Sequence, residues 1–351
     1  MKMQKRILIL IMIVVMMITL SGPSIQSSAN IVPGNPVKVA VLLYSFDITY
    51  INQIRKSLED IQKVNNGNVK FTFFDGRANQ AIQNETINSM IGADFDLMLV
   101  DLVNINADTI ELVINTAKQK KIPVILFPIE PLETNLIKSY DKAIVIATDV
   151  KQSGILEGKI VIDAWNKDKE DIDKNKDNIL QYVMLTATLT DTVSVGRMKY
   201  SISTINSAGI KTEQLAVQVA YFDRELAKGA IESLFLKYGE KIEAIISTTD
   251  PMAIGAIEGL QKYGYNSGDK TKFIPVVGVD AAPESVDLIK KGFMTGTVDI
   301  DPPAMAQALY TVGMNLVYNK NPLDGTDYKF NETGVVIQIP RREYISNEKK
   351  Q

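Results

Sequence analysis

Between Asp173 and Gln181 the chain reads Asp-Lys-Asn-Lys-Asp-Asn-Ile-Leu-Gln, with side-chain oxygens on alternate residues at Asp173, Asn175, Asp177 and Gln181. Ile179 falls where a backbone carbonyl would serve. A tight loop can aim all five oxygens at one point, as the first nine positions of an EF-hand-type loop do around Ca²⁺, a hard cation that takes six to eight oxygens at about 2.3–2.6 Å. The sixth position of such a loop needs a left-handed backbone, which Asn178 tolerates better than most residues other than Gly. The twelfth position, normally a bidentate Glu, is Met184, so a closing carboxylate would have to come from elsewhere in the chain. The same segment lies at the end of a dense charge run, Trp165–Asn178, which also reads as an ordinary solvated loop. Spacing alone leaves both readings open.

Other chemistry is limited by what the chain lacks. It has 351 residues with no Cys and no His, which excludes disulfides, thiol chemistry, a Ser-His-Asp triad, a His-based zinc site and a histidine general base. No GxGxxG or Walker sequence is present to cradle phosphates. Residues 1–29 read as a signal peptide or N-terminal anchor. Lys2, Lys5 and Arg6 precede the apolar run Ile7–Leu20, and Ser27-Ser28-Ala29 suits cleavage. That run is shorter than the roughly 20 residues a membrane span needs. Export is the expectation, to a periplasm or a cell surface, and without Cys the protein is not a lipoprotein. Without residues 1–29 the chain carries 35 basic against 41 acidic residues, a balance that argues against nucleic acid as a partner.

The elements that must carry these residues come in two series. Short apolar runs at Val37–Leu43, Val69–Phe74, Leu97–Val100, Val124–Phe127 and Ala143–Ala147 read as strands, with helices near Thr49–Val64, Asn79–Ile91 and Thr109–Lys120. A second series places strands at Leu180–Leu185, Leu215–Ala220, Glu243–Ser247, Pro275–Val279 and Thr295–Val298. Helices alternate with them near Lys151–Trp165, Val193–Ala208, Arg224–Tyr238, Pro251–Tyr263 and Pro283–Lys291. A helix over Pro303–Tyr318 and a strand over Gly334–Ile339 follow. Unbroken Val/Ile/Leu runs suit parallel strands buried on both faces. The expected fold class is α/β, with two doubly wound parallel-sheet lobes and ligands at the C-terminal ends of the strands.

Nine segments carry a resemblance to a known family: Arg55-Lys56-Ser57-Leu58-Glu59, Ser139-Tyr140-Asp141-Lys142-Ala143, Thr148-Asp149, Gly154-Ile155, Gly209–Leu215, Lys241-Ile242-Glu243, Asp250-Pro251-Met252-Ala253, Val277-Gly278-Val279-Asp280 and Asp324-Gly325-Thr326. In these, over nearly all of Val37–Pro340, the chain resembles the bacterial galactose/glucose-binding proteins, sugar receptors of the type I periplasmic binding protein fold. The resemblance implies an N-terminal lobe of residues 37–146 plus 302–336 and a C-terminal lobe of 149–299 plus 340–348, joined by a three-crossover hinge. It also implies that Glu243 closes the Asp173–Gln181 loop, giving a structural Ca²⁺ site of Asp173, Asn175, Asp177, Ile179, Gln181 and Glu243 in the C-terminal lobe.

For the ligand, the resemblance implies stacking aromatics at Tyr50 and Phe222, with Arg197 and Asp280 at family positions. Asp47 lies beside a position where the family has a sugar-binding Asp and this chain has Ile48. Asp191 stands where the family has a His. It could pair with Arg197, accept a ligand hydroxyl, or cap the following helix. Family contact positions are also changed at Pro128, Val193, Thr249 and Ile300, and neighbours such as Asp101, Asn104, Asp299 or Asp301 would have to compensate. The expected function is an extracytoplasmic solute-binding protein for a monosaccharide that closes on its ligand and feeds a membrane ABC permease. It makes and breaks no bonds and is a monomer when free. The alternative is a sensing subunit for a membrane sensor kinase or chemoreceptor.

Overall fold

The computed structural model describes residues 36–345, apart from 66, 130 and 131. The signal or anchor segment expected at 1–29 lies outside the described residues, as does the end of the 340–348 segment beyond 345. The first series of elements runs β1 (Val37–Leu43), α1 (Thr49–Val64), β2 (Val69–Asp75), α2 (Gln80–Ser89), β3 (Leu97–Asp101), α3 (Ala107–Lys120), β4 (Val124–Phe127), α4 (Thr134–Lys138) and β5 (Ala143–Thr148). The second runs α5 (Val150–Ile172), β6 (Ile179–Thr186), α6 (Thr192–Ser207), β7 (Lys211–Val219), α7 (Arg224–Tyr238), β8 (Ala244–Ser247), α8 (Asp250–Gln261), β9 (Val276–Asp280), α9 (Pro283–Lys290) and β10 (Gly296–Asp299). The chain ends with α10 (Pro302–Val317), β11 (Val336–Ile339) and β12 (Arg342–Ile345).

These strands form two six-stranded sheets, ordered β11-β5-β4-β3-β1-β2 and β12-β10-β9-β8-β6-β7. In each, the strand order reverses beside the first strand of the series, between β1 and β3 and again between β6 and β8. That reversal opens a crevice where the chain leaves neighbouring strands in opposite directions. Central strands such as β1, β3, β5 and β8 are apolar on both faces because helices cover both sides of each sheet. The edge strand β7 is polar and half exposed, and it begins at Lys211 rather than at Leu215, where its apolar residues start.

Two elements depart from the sequence reading. β12 pairs antiparallel with β10, and its residues Arg-Glu-Tyr-Ile carry no continuous apolar run because an edge strand at a sheet rim needs none. α4 is a single turn and a half, too short to show a helical period. The chain passes between the sheets at three places: after Thr148, between Asp299 and Pro302, and between Ile339 and Arg342.

Helix packing in the second sheet depends on glycine. A Cβ at Gly154 of α5 would sit 2.8 Å from the Arg197 carbonyl oxygen, and one at Gly158 would sit 2.6 Å from that of Ser201. α5 and α6 therefore touch backbone to backbone, and this contact fixes the height of Arg197 above the sheet.

Candidate ligand-binding cleft

At the exit of β1, the Tyr44 N–H donates to Asp101 Oδ2 at 2.9 Å, tying that turn to the end of the adjacent strand β3. Gln83 of α2 fixes the β3 exit further, donating to the Asp101 carbonyl at 2.8 Å and accepting from the Val103 N–H at 2.9 Å. Tyr50, in the first turn of α1, is buried against the core. In the second sheet, Asp191 Oδ1 accepts from the Ser194 N–H at 2.8 Å and so caps α6, while its Oδ2 accepts from the Thr188 hydroxyl at 2.6 Å. Of the three roles open to Asp191, the structure shows the cap. Pairing with Arg197 is absent from its contacts, because both carboxylate oxygens already serve the turn.

The cap starts α6 so that Arg197 lies one turn further in, buried, with its Nη1 donating to the Thr248 carbonyl at 2.6 Å at the exit of β8. Asp250, one residue past the β8 loop, accepts from the Ala282 N–H at 2.7 Å and the Thr297 hydroxyl at 2.6 Å. Its carboxylate occupies the space beside Gly278, where a Cβ would approach Asp250 Oδ1 to 2.3 Å. Asp280 then ends β9 at φ 137° and Ala281 follows at φ 52°, conformations that L-residues rarely adopt. Tyr221 and Phe222 leave β7 at φ 48° and 63°. Such backbone persists where surrounding contacts over-determine it, and it clusters at binding sites.

All these turns open on one cavity of about 520 Å³. Tyr50, Asp47, Asp191, Arg197, Phe222 and Asp280 all line it. So do the altered positions Ile48, Pro128, Val193 and Thr249, together with Asp101 and Asn104. Ile300, Asp299 and Asp301 do not. Ile300 is buried in the core, Asp299 holds Arg342 at 2.6 Å, and Asp301 caps α10.

Burial dominates the electrostatics. It pushes the Asp101 carboxyl up to about 8, only partly offset by the Tyr44 N–H. Burial also raises Asp280 above the ordinary carboxylate range, with Arg197 opposing and Asp250 adding to the rise. Glu157 of α5, fully buried beside Arg197, is raised well above its usual value for the same reason. Among the described residues, the buried side-chain atoms that make no hydrogen bond of sound geometry belong to Tyr50, Glu157, Arg197, Thr248, Thr249, Ser285 and Arg341. Tyr50, Arg197 and Thr249 face the cavity, and Thr248 accepts from Arg197 through its carbonyl. Glu157, Ser285 and Arg341 adjoin the Arg197–Asp250–Asp280 group. Sequence reasoning missed Glu157 and Arg341 altogether. No periodic or motif signal marks a single charged residue for burial.

The charged loop also has a definite form. Lys176 and Asn178 take left-handed φ values of 62° each, and Asp177 and Asn178 donate their N–H groups back to Asp173. Glu243 reaches across to accept from the Lys174 and Gln181 N–H groups, each at 3.0 Å. The Asn175 and Gln181 amides donate to Asp177 Oδ2 at 3.0 and 2.8 Å. No three acidic side chains among the described residues stand ready-made as a metal cage. The donor chemistry nevertheless suits a hard cation, since three carboxylates and two amides are gathered around one turn. Burial pushes the Glu243 carboxyl up to about 7, opposed by the Gln181 and Lys174 N–H groups, with Asp173 and Asp177 adding to the rise.

The periplasmic binding protein domain family matches residues 39–321. The chain belongs to that family. Periplasmic binding proteins are extracytoplasmic, and the relatives of this chain are solute-binding proteins rather than enzymes. Among the described residues no helix is long and apolar enough to cross a membrane. The D-galactose/methyl-galactoside binding periplasmic protein MglB of Haemophilus influenzae is 31% identical over 316 residues, covering 90% of this chain and 91% of that protein. Among solved structures, an ABC transporter solute binding protein from Bacillus halodurans with bound myo-inositol superposes with a TM-score of 0.70 at 19% identity, covering 89% of this chain and 96% of that one. A periplasmic solute binding protein from Actinobacillus succinogenes with bound D-allose gives a TM-score of 0.71 at 18% identity, covering 88% and 97%. At these identities the superpositions show a common fold. In open α/β sheets ligands bind at the C-terminal ends of the strands beside the switch point, which is where the cavity lies here.

Proposed function

We propose that the protein is an extracytoplasmic solute-binding protein that closes its two lobes on a monosaccharide-sized polar ligand and delivers it to a membrane ABC importer. The observation that carries this is the cavity at the C-terminal strand ends of both sheets, walled in part by Arg197 and Thr249, whose buried Nε and hydroxyl make no hydrogen bond within the chain. Tyr50 and Phe222 would face the ligand's C–H surfaces, Arg197 and Asp280 its oxygens, and Asp47 would approach from the rim. Asp191 would act by capping the helix that carries Arg197. The likeness to a galactoside-binding relative and to receptors of inositol and allose supports a polyhydroxylated ligand. No feature of the described residues favours the sensor-subunit alternative.

A thermal-shift screen against hexoses, pentoses, polyols and their acids tests the reading. A ligand at 100 times its Kd should add about 2.7 kcal/mol of stability. No shift with any of these compounds would overturn it.

We also propose Ca²⁺ as a structural ion held by Asp173, Asn175, Asp177, the Ile179 carbonyl, Gln181 and Glu243. Binding would replace the amide N–H donation to Asp177 with amide oxygens on the cation, joining the loop to the strand that begins just after Glu243.

A further inference from the structure

Arg341 lies between β11 and β12 and is only 6% exposed. Its main-chain N–H donates to Gln152 Oε1 at 3.1 Å and its Nη1 to the Ile300 carbonyl at 2.9 Å, so the first turn of α5 and the passage at Ile300 both hold it. Its Nε and Nη2 make no hydrogen bond of sound geometry, and the Tyr50 hydroxyl beside them interacts with this guanidinium without aligning well on it. Arg197, also 6% exposed, spends Nη1 on Thr248 and leaves Nε unpaired. Two buried guanidinium groups, Arg197 on the cavity wall and Arg341 behind it, thus lie within electrostatic reach of each other. The Tyr50 and Thr249 hydroxyls add two more donors there.

Buried donors without acceptors are costly, and a guanidinium fork matches a carboxylate in both charge and geometry. A neutral hydroxyl needs an acceptor for its own proton. Ile48, Pro128 and Val193 offer no side-chain acceptor, Asp191 has both oxygens on the α6 cap, and burial favours the protonated form of Asp101 and Asp280. That leaves Asp47 and Asn104 as the readier acceptors on the wall. Asp250 has both oxygens committed. A carboxylate brings only acceptors. We infer that the ligand carries a carboxylate, as a sugar acid or polyhydroxy acid does, and that Arg197, Tyr50 and Thr249 receive it with Arg341 as a second positive charge behind Tyr50. This rests on the solute-binding reading above and names the ligand class of that same site. Burial keeps a proton on Asp280 more readily than on an ordinary carboxyl, so Asp280 can face the bound carboxylate as a donor.

The test is calorimetry on the full chain with D-galacturonate and D-gluconate against D-galactose and D-glucose. The acids should bind at least about tenfold more tightly than the neutral sugars. Arg341→Met should weaken acid binding by at least about tenfold and lower the ratio of acid to neutral-sugar affinity. Arg341→Lys should recover most of the loss by keeping the charge. Acid affinity should also fall as pH rises above neutrality and Asp280 ionises. The charged or titratable groups facing Asp280 are Arg197 on α6, Asp250 on α8, Tyr50 on α1 and Arg341, and none of them reverses that sign. If Arg341→Met does not fold, the acid-to-neutral ratio and pH profile of the unmodified chain decide the matter. Neutral sugars binding as tightly as their acids would overturn the inference while leaving the solute-binding reading intact. No binding by either class would overturn both.

Discussion

At the scale of single residues, the cleft holds two buried carboxyl groups that burial has pushed away from their ordinary behaviour. Asp101 is 3% exposed, accepts a hydrogen bond from the Tyr44 N–H, and is held up at about 8. In the unfolded chain an Asp titrates near 3.9, so the folded state keeps a proton that the unfolded state loses. The stability tied to Asp101 is therefore complete below about pH 4 and is lost as pH rises toward 8. Asp101→Asn, which copies the protonated form, should gain on the unmodified chain by on the order of 1–3 kcal/mol between those limits. Urea melts at both pH values measure this, and a constant difference would show that Asp101 ionises freely. For Asp280 the expected outcome lies in binding. Asp280→Ala should lower ligand affinity by about 10- to 100-fold. The stability of the free protein should change little, because the carboxylate faces the cavity. A large fall in the melting temperature without ligand would place Asp280 in the scaffold instead.

At the scale of elements, two packing features hold the site. The backbone contact between α5 and α6 sets Arg197, and Gly154→Val would force the helices apart at the Arg197 carbonyl. Overpacking of this kind costs about 1–3 kcal/mol. The fall in ligand affinity should exceed that of an equally destabilising change remote from the cleft, as paired calorimetry and melting would show. The second feature is the Asp173–Gln181 loop and its tie to Glu243. If it holds Ca²⁺, EGTA should lower the melting temperature and added Ca²⁺ should restore it, whereas Glu243→Gln should abolish the difference. A melting temperature indifferent to both reagents would remove calcium from the account.

At the scale of the whole molecule, the two sheets are joined by three short passages, two of which an arginine pair ties together. Arg342 pairs with Asp299 at 2.6 Å and Asp301 at 3.3 Å, while Arg341 bonds to Ile300. The Arg342 side chain is 70% exposed, so its ion pairs should contribute no more than about 1 kcal/mol to folding. Asp299 and Arg342 face each other across β10 and β12 beside two of the crossings, so the expected larger effect of the pairs is on the opening and closing of the lobes. Small-angle scattering should show the free Arg342→Ala protein with a changed radius of gyration and the ligand-bound form unchanged. Equal radii in the free proteins would confine Arg342 to a surface role.

The sequence by itself determined the fold class, most strand positions and the loop of alternating oxygens. Buried parallel strands such as Val37–Leu43 and Ala143–Thr148 must be apolar on both faces, and that requirement is written locally. The resemblance pointed to Arg197, Asp280, Tyr50 and Phe222, and the tertiary structure gathers them on one cavity. Only that structure decided what surrounds them. Asp191 became a helix cap because Thr188 and Ser194 satisfy it, and Ile300 turned into the core. The charged stretch Arg341–Tyr344, assigned by the resemblance to the C-terminal lobe, supplies an edge strand and a buried guanidinium. Glu157, Arg197 and Arg341 meet across more than 180 residues of chain. Burial and partnership at such separations are set by sheet order and by the crossings between lobes, which no local pattern of residues encodes.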